Sequence, residues 1–426
     1  MKVKFTLTAF LATVAMAFAQ DTPKLSPLDT LTKNVNQIKS ELDVLKRLKV
    51  TGYIQPQYQQ IDSAGAASFA AGSFAPNVNS RFMMRRGRIK FTYTSEDGLA
   101  QFVLQPDITE KGVFIRETYA KFTDPWTKWL TGTIGLNIIP FGHDIIYSSS
   151  LRETPERARV FQTIFPTERD LGAFLTIQPW KTSKLKFLRL DFGYMNGSGV
   201  ASEFDSHKDV TARFSINKAN KAETFKIGFG ISILEGAWRE GRKTEYSFGK
   251  NTAGDDGFIA KSDTANYTKN AKREYLGADL QISIDQPVGL TTIRAEYIQG
   301  QQPGTSSGST SFAAAPAADI FIRQFSGASF YLIQNILKSK WQIVVKYDWY
   351  DPNTKLAGDQ IGKSATNTKS GDVKYTTTGF GINYRWNGNV KITAYYDMVK
   401  NEITKLSGFT HDLPDNVFTF RVQYKF

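Results

Sequence analysis

The sequence predicts an all-β chain: a 16-stranded antiparallel transmembrane β-barrel with short periplasmic turns, long extracellular loops and an N-terminal periplasmic coiled-coil helix. Three observations predict it. From Leu48 onward apolar and polar residues alternate with period two in about sixteen segments, most of roughly 10 residues, the length of a tilted membrane strand. The links between those segments alternate short and long. The chain also ends on "VFTFRVQYKF", with Phe418, Phe420, Val422, Tyr424 and Phe426 on one face and Thr419, Arg421, Gln423 and Lys425 on the other. In water such an edge invites aggregation. It suits a last strand that has one face in lipid and closes against the first.

In chain order, residues 1–19 read as a secretory signal peptide: Lys2 and Lys4, a short apolar stretch, then Ala17-Phe18-Ala19 before Gln20. No later apolar run approaches the roughly 20 residues of a membrane helix, so an exported chain of this kind spans with strands, in the outer membrane. Residues 20–47 read as a periplasmic coiled-coil segment. Leu28, Leu31, Val35, Ile38, Leu42 and Leu45 alternate spacings of three and four. Ser26 suits the N-cap, Pro27 the first helical position and Asp29 the third. A helix this short is marginal alone in water, and its narrow apolar seam points to self-association. Residues 48–426 are read as the barrel.

Short links include "SEDG", "DPW", "DQPVG" and "WNGN"; long ones cover 62–79, 139–168, 234–272, 300–324 and 351–373. An even strand number leaves both termini on the periplasmic side. Trp126, Trp129, Trp180, Trp341, Trp349, Tyr350, Tyr384 and Trp386 fall near strand ends, where interfacial girdles lie.

The 426 residues carry a net charge of +13 with three histidines and no cysteine. That excludes a disulfide framework and thiolate metal sites, and no histidine spacing suits zinc. A basic excess suits anionic partners. The leader and strands argue against nucleic acid, and no cofactor is expected.

Charges inside strands mark the lumen face, because lipid-facing positions are rarely charged. The basic lumen set is Arg86, Arg88, Lys90, Arg189, Arg213, Lys226, Arg294, Lys346, Arg385, Lys391, Arg421 and Lys425; Asp107, Glu117, Asp191, Asp209, Asp279, Glu296, Asp348 and Asp397 share that face. Many of these are expected to pair across strands. "RRGRIKF" stands apart, with Arg86, Arg88 and Lys90 stacked and no acid nearby in sequence. Rings of such cations favour anions. The 30-residue link 139–168, after the fifth strand, holds Arg152, Glu153, Glu156, Arg157, Arg159 and Glu168, followed by Arg169 and Asp170. A loop of that length tends to be functional, and folded inward it would narrow the pore.

In order, "GYIQPQY", "RRGRIKF", "VFIRETYAKF", "GTIGLNIIPFG", "TERDLGAFL", "FGYMNGSG", "SHKDVTARF", "IRAEYIQG", "VVKYDWYDPN" and "RVQYKF" resemble the phosphate-selective porin O and P family of Gram-negative outer membranes. The resemblance implies a trimeric sixteen-stranded porin with an infolded third loop, passing small anionic or neutral solutes by passive diffusion, phosphate or other oxyanions among them. It makes Arg86, Arg88 and Lys90 part of an arginine ladder. The third loop departs from the family's lysine-rich constriction, having Arg and Glu but no lysine between Ile139 and Glu168. Expected partners are outer-membrane lipid, further copies of the chain, and the barrel-assembly machinery through the strand ending at Phe426. The alternative is an adhesin or anchor with a closed lumen and functional loops. An enzyme is not expected: Ser148-Ser149-Ser150 with His143 and Asp144 offers the residue types of a triad, but neighbours in one loop seldom converge, and no G-x-S-x-G occurs.

Overall fold

The period-two alternation becomes a closed wall. The computed structural model describes residues 26–426; the leader assigned to residues 1–19 lies outside the described residues. One helix, α1 (Pro27–Lys46), precedes the strands β1 (Leu48–Ile61), β2 (Ser80–Thr94), β3 (Ala100–Thr109), β4 (Gly112–Thr123), β5 (Leu130–Ile138), β6 (Arg169–Ile177), β7 (Leu188–Met195), β8 (Asp209–Ala219) and β9 (Phe225–Arg239). After these come β10 (Thr244–Lys250), β11 (Asp256–Ser262), β12 (Asn270–Gln286), β13 (Gly289–Gly304), β14 (Ile320–Asn335), β15 (Trp341–Asp351), β16 (Tyr375–Arg385), β17 (Val390–Asn401) and β18 (Val417–Lys425).

Sixteen of these form the antiparallel barrel. Each pairs with its neighbours in sequence, β9 pairs with β12, and β18 returns to β1. Closure runs through Tyr53↔Lys425, Gln57↔Arg421 and Ile61↔Val417. Gly52 and Phe426 exchange two backbone hydrogen bonds, both 3.0 Å, so the final residue has no free edge.

β10 and β11 are additional. They form a hairpin inside the stretch read as the loop 234–272, which corrects that reading. Tyr246 stacks on Phe321 with ring centroids 4.3 Å apart, and a two-residue parallel pairing joins β10 to β14. β9 and β12 also run deeper into that stretch than the alternation suggested. A second correction concerns the alternation of links. On the long-loop side, β3 and β4 are joined by residues 110–111 alone, with Gly112 at φ +125° completing the turn.

The outward face is apolar over the middle of the strands, with charge returning toward the long loops at Glu235, Lys272 and Glu274. Phe102, Ile134, Phe214, Ile231, Leu276, Ile293, Phe330, Ile343, Phe380 and Phe420 are all exposed on it. In β18 the inward residues Thr419, Arg421 and Gln423 are buried while Phe418, Phe420 and Tyr424 are not. Trp126, Trp129, Trp180, Trp341 and Trp386 are exposed beside the short turns, while Trp349 lies on the outward face toward the long loops, against Phe330 and Tyr347. Tyr350 departs from the expected girdle, buried in the interior.

The chain divides between Leu48 and Lys49 into two compact units. In the first, α1 starts at Ser26, whose Oγ accepts the Asp29 amide at 3.1 Å while its carbonyl accepts that of Thr30. Leu28, Leu31, Val35, Ile38, Leu42 and Leu45 are all exposed, from 39% to 71%.

Candidate functional site

The 139–168 link carries two short helices, α2 (His143–Ile146) and α3 (Arg159–Ile164), and it folds inward because half of it is apolar. Phe141, Ile145, Val160, Phe161, Ile164 and Phe165 are each 2% exposed or less. They pack on Phe174, Leu234, Tyr275, Ile298, Phe325 and Tyr350 of the inner wall. Each such side chain contributes roughly 1.5–3 kcal/mol on burial. The wall makes room with glycine: a Cβ at Gly277 would stand 2.8 Å from the Phe141 ring, and one at Gly327 2.7 Å from Val160. Gly142, at φ +56°, leaves the space in which the Glu296 carboxylate accepts the His143 and Asp144 amides at 3.1 and 2.8 Å.

The other half of the loop is held by polar contacts from the far wall. Glu156 accepts from Arg85 (2.8 Å), Arg86 (2.9 Å) and Arg421 (2.9 Å). Burial pushes its carboxyl up, but the three guanidinium charges outweigh this and hold it well below the usual carboxylate range. Ser149 Oγ lies 2.6 Å from Tyr53 Oη, and Gln55, Gln423, Asn383 and Lys391 donate to the carbonyls of Ser149, Ser150, Glu153 and Arg152. Arg294 pairs with Glu153. One loop thus touches β1, β2, β13, β16, β17 and β18, and crosses the lumen.

The ladder of free cations expected from "RRGR" is not there. Arg86 has Glu156, Arg88 has Asp107 at 2.8 Å, and Lys90 has Glu117 at 2.8 Å. Their partners come from β3, β4 and the loop, which sequence proximity does not reveal. Arg85, one residue off the predicted face, also reaches Glu156 because the regular β2–β3 register begins only at Arg88↔Asp107. Arg213 bonds Asp279 across β9, with Gly230 between them providing the clearance. Lys346 lies 3.1 Å from Asp348 and 3.3 Å from Asp397. Arg189, Lys226 and Arg385 are exposed beside the short turns, the first two paired with Asp191 and Glu223, and the structure does not bring them to the loop.

Among the loop candidates, Arg152 lies 3.6 Å from Asp144 and donates to the Asp144 and Tyr147 carbonyls. Glu168 gathers Arg157, Arg169 and Arg116, and Arg169 also reaches Glu117 at 2.8 Å. Arg159 lies over the Tyr375 ring instead. Asp170 faces away from this network and accepts the Gly197 amide at 2.9 Å. Sequence reading missed Arg85, Arg116 and the apolar half of the loop, and weighed Asp144 only as part of a triad; the run of Phe and Ile in a nominal loop was the available signal.

The loop divides the interior into chambers. Toward the short turns lies a cavity of about 430 Å³ that holds six cations, Lys49, Arg88, Lys90, Arg157, Arg169 and Lys425, against one carboxylate, Glu117. Among the long loops lies one of about 510 Å³, lined in part by Phe69, Arg159, Tyr375 and Asp415. A space of about 20 Å³ shares Phe69, Arg159 and Asp415 with the outer chamber and Arg157 with the inner one. That is room for about one water. Its charges are mixed: Arg157, Arg159 and Lys346 with Glu156, Asp348, Asp397 and Asp415.

The triad residue types have other partners. Ser149 Oγ contacts Tyr53 and Arg88, Asp144 lies between Arg152 and the Ala158 amide, and His143 stacks on Tyr147 with its Nε2 unpartnered.

No protein-family model and no curated protein matches this sequence. Among solved structures the chain is similar in fold to OprB of Pseudomonas putida, with a TM-score of 0.57, 7% identity, and 92% of this chain and 97% of that one covered. It is similar to the outer membrane channel DcaP of Acinetobacter baumannii, with a TM-score of 0.52, 12% identity and 89% and 97% covered. It is also similar to the trimer form of OmpT, an outer membrane protein of Vibrio cholerae, with a TM-score of 0.50, 10% identity and 89% and 99% covered.

Proposed function

We propose, from a barrel that shares its fold with outer-membrane proteins including a channel, that this chain is an outer-membrane porin. It passes small hydrophilic solutes by passive diffusion and prefers anions. The observation that carries the preference is the inner chamber, where Arg88, Lys90, Arg157 and Arg169 are paired with Asp107, Glu117 and Glu168, and Lys49 and Lys425, without an ion pair among the described residues, add a basic excess. Arg and Lys there replace part of an anion's hydration, and a chamber walled by low-dielectric strands focuses their field. The exposed apolar outer face and the tryptophans near the strand ends support insertion in a bilayer. Residues 1–19 direct export, 20–47 associate through the exposed Leu-Val-Ile stripe, and trimers form, as the trimer form of the Vibrio protein suggests. Phosphate is one oxyanion that fits the chamber's charge.

Stepwise conductance in planar bilayers, with the reversal potential taken across a KCl gradient, tests this reading. Chloride preference that Lys49→Glu with Lys425→Glu reduces supports the porin. A second reading has one specific observation behind it: the loop crosses the lumen, and the space that shares lining residues with both chambers has a volume of only about 20 Å³. Absence of conductance steps from folded protein would favour the adhesin or anchor.

A further inference from the structure

The outer chamber differs from the inner one in chemistry. Phe69, Tyr350, Tyr375, Phe409 and Leu413 give it a largely apolar and aromatic lining. Two charges face it from different segments, Arg159 from α3 and Asp415 from the 402–416 link. Arg159 is 8% exposed. Its guanidinium carbon lies 3.7 Å from the centroid of Tyr375 and 4.5 Å from that of Phe69, and its Nε has no hydrogen-bond partner. Asp415 is 6% exposed, with one carboxylate oxygen unpartnered. Burial pushes its acid up to about 6, against the pull of Arg159. Among the described residues neither forms an ion pair, with the other or with a third group.

Two opposite charges left unmatched in one apolar cavity are each costly. A molecule that carries both complementary charges on one end removes both penalties. The volume of about 510 Å³ falls within the roughly 300–1,000 Å³ of small-ligand sites, and the aromatic lining accepts an apolar body. We propose that this chamber binds an α-amino acid with an apolar or aromatic side chain, its carboxylate on Arg159 and its ammonium on Asp415. The inference rests on reading the lumen as a route for solutes, and it names one class of solute that pauses on the way.

The test is isothermal titration of the full-length protein folded in detergent, which needs no conducting pore. L-phenylalanine is compared with 3-phenylpropionate, 2-phenylethylamine and glycine. The expected result is binding of L-phenylalanine at least tenfold tighter than of any of the three. Asp415→Asn should reduce that preference over 3-phenylpropionate to less than threefold. Ala67→Trp, which adds bulk at an exposed position of the lining and leaves both charged residues in place, should weaken binding. Equal binding of 3-phenylpropionate overturns the role of Asp415, equal binding of glycine overturns that of the apolar lining, and no heat with L-phenylalanine overturns the site. Conductance measured in parallel separates failure of this site from failure of the pore: phenylalanine binding without conductance retains the site and rejects the route.

Discussion

Replacing Glu156 by Gln removes the negative charge that three guanidinium groups share, with little change of shape. Arg86 and Arg421 are 2% and 4% exposed, so they would be left buried without a counter-charge. Breaking a buried pair in this way costs about 3–5 kcal/mol. The loop tip retains other contacts that do not involve Glu156: Tyr53, Arg88, Gln55, Gln423, Lys391, Asn383 and Arg421 bond Ser149, Ser150, Arg152, Glu153 and Pro155, and Arg294 pairs with Glu153, each hydrogen bond worth about 0.5–1.5 kcal/mol net. The penalty is therefore a large share of what holds the tip without exceeding it, and the tip should loosen against the β1–β2 wall around Glu156. The apolar half, seated on Phe174, Tyr275 and Phe325, stays in place. At pH 7 Glu156 is fully ionised, since its depressed acid keeps its contribution above the ordinary glutamate range and loses it only as pH falls through its own lower value. Single-channel conductance of Glu156→Gln should rise, and its reversal potential in a KCl gradient should move toward chloride. Conductance and reversal potential equal to those of the parent would refute the assignment of Glu156 as the anchor of the tip.

Three further outcomes are expected. The His143 imidazole is held down to about 4, mainly by burial, with Arg294 adding to it; the docked loop therefore loses stability as pH falls from about 6.5 through 4, so open-state noise should grow over that window and grow less in His143→Asn. Leu31→Asp with Ile38→Asp should lower the oligomer mass in detergent by light scattering while heat-modifiable mobility on gels, a reading of barrel closure, stays unchanged. Deleting Phe426 removes the two bonds to Gly52 and should reduce the fraction of chain assembled in outer-membrane preparations at least several-fold, the mobility shift again being the measure.

The barrel was legible because its physics is local: alternation within β18 and β16 is written in consecutive residues, as is the capping of α1 at Ser26. The site was legible only in part. That residues 139–168 fold into the lumen was expected from their length, and the inward placement of Arg152 through Glu168 followed from that. Who pairs with whom did not, since Glu156 meets Arg421 at a separation of 265 residues. Such partners are set by closure of the whole sheet. Gly230 and Gly327 look like weak points of strands in sequence, whereas they are clearances for Arg213 and Val160. The β10–β11 hairpin was lost among polar residues because its anchor, Phe321, lies some seventy residues on.

The three partners of Glu156 lie on β2 and β18, and those two strands flank β1. The first and last strands of a barrel meet at the one seam that chain connectivity does not tie. Here a single carboxylate reaches over β1 and grips both sides. Lateral parting of that seam has to separate Arg421 from the anion it shares with Arg85 and Arg86 as well as break ladder bonds. A loop that narrows the passage is therefore also an internal brace: pulled apart or left in denaturant, the wall should resist unzipping longest where its two ends join.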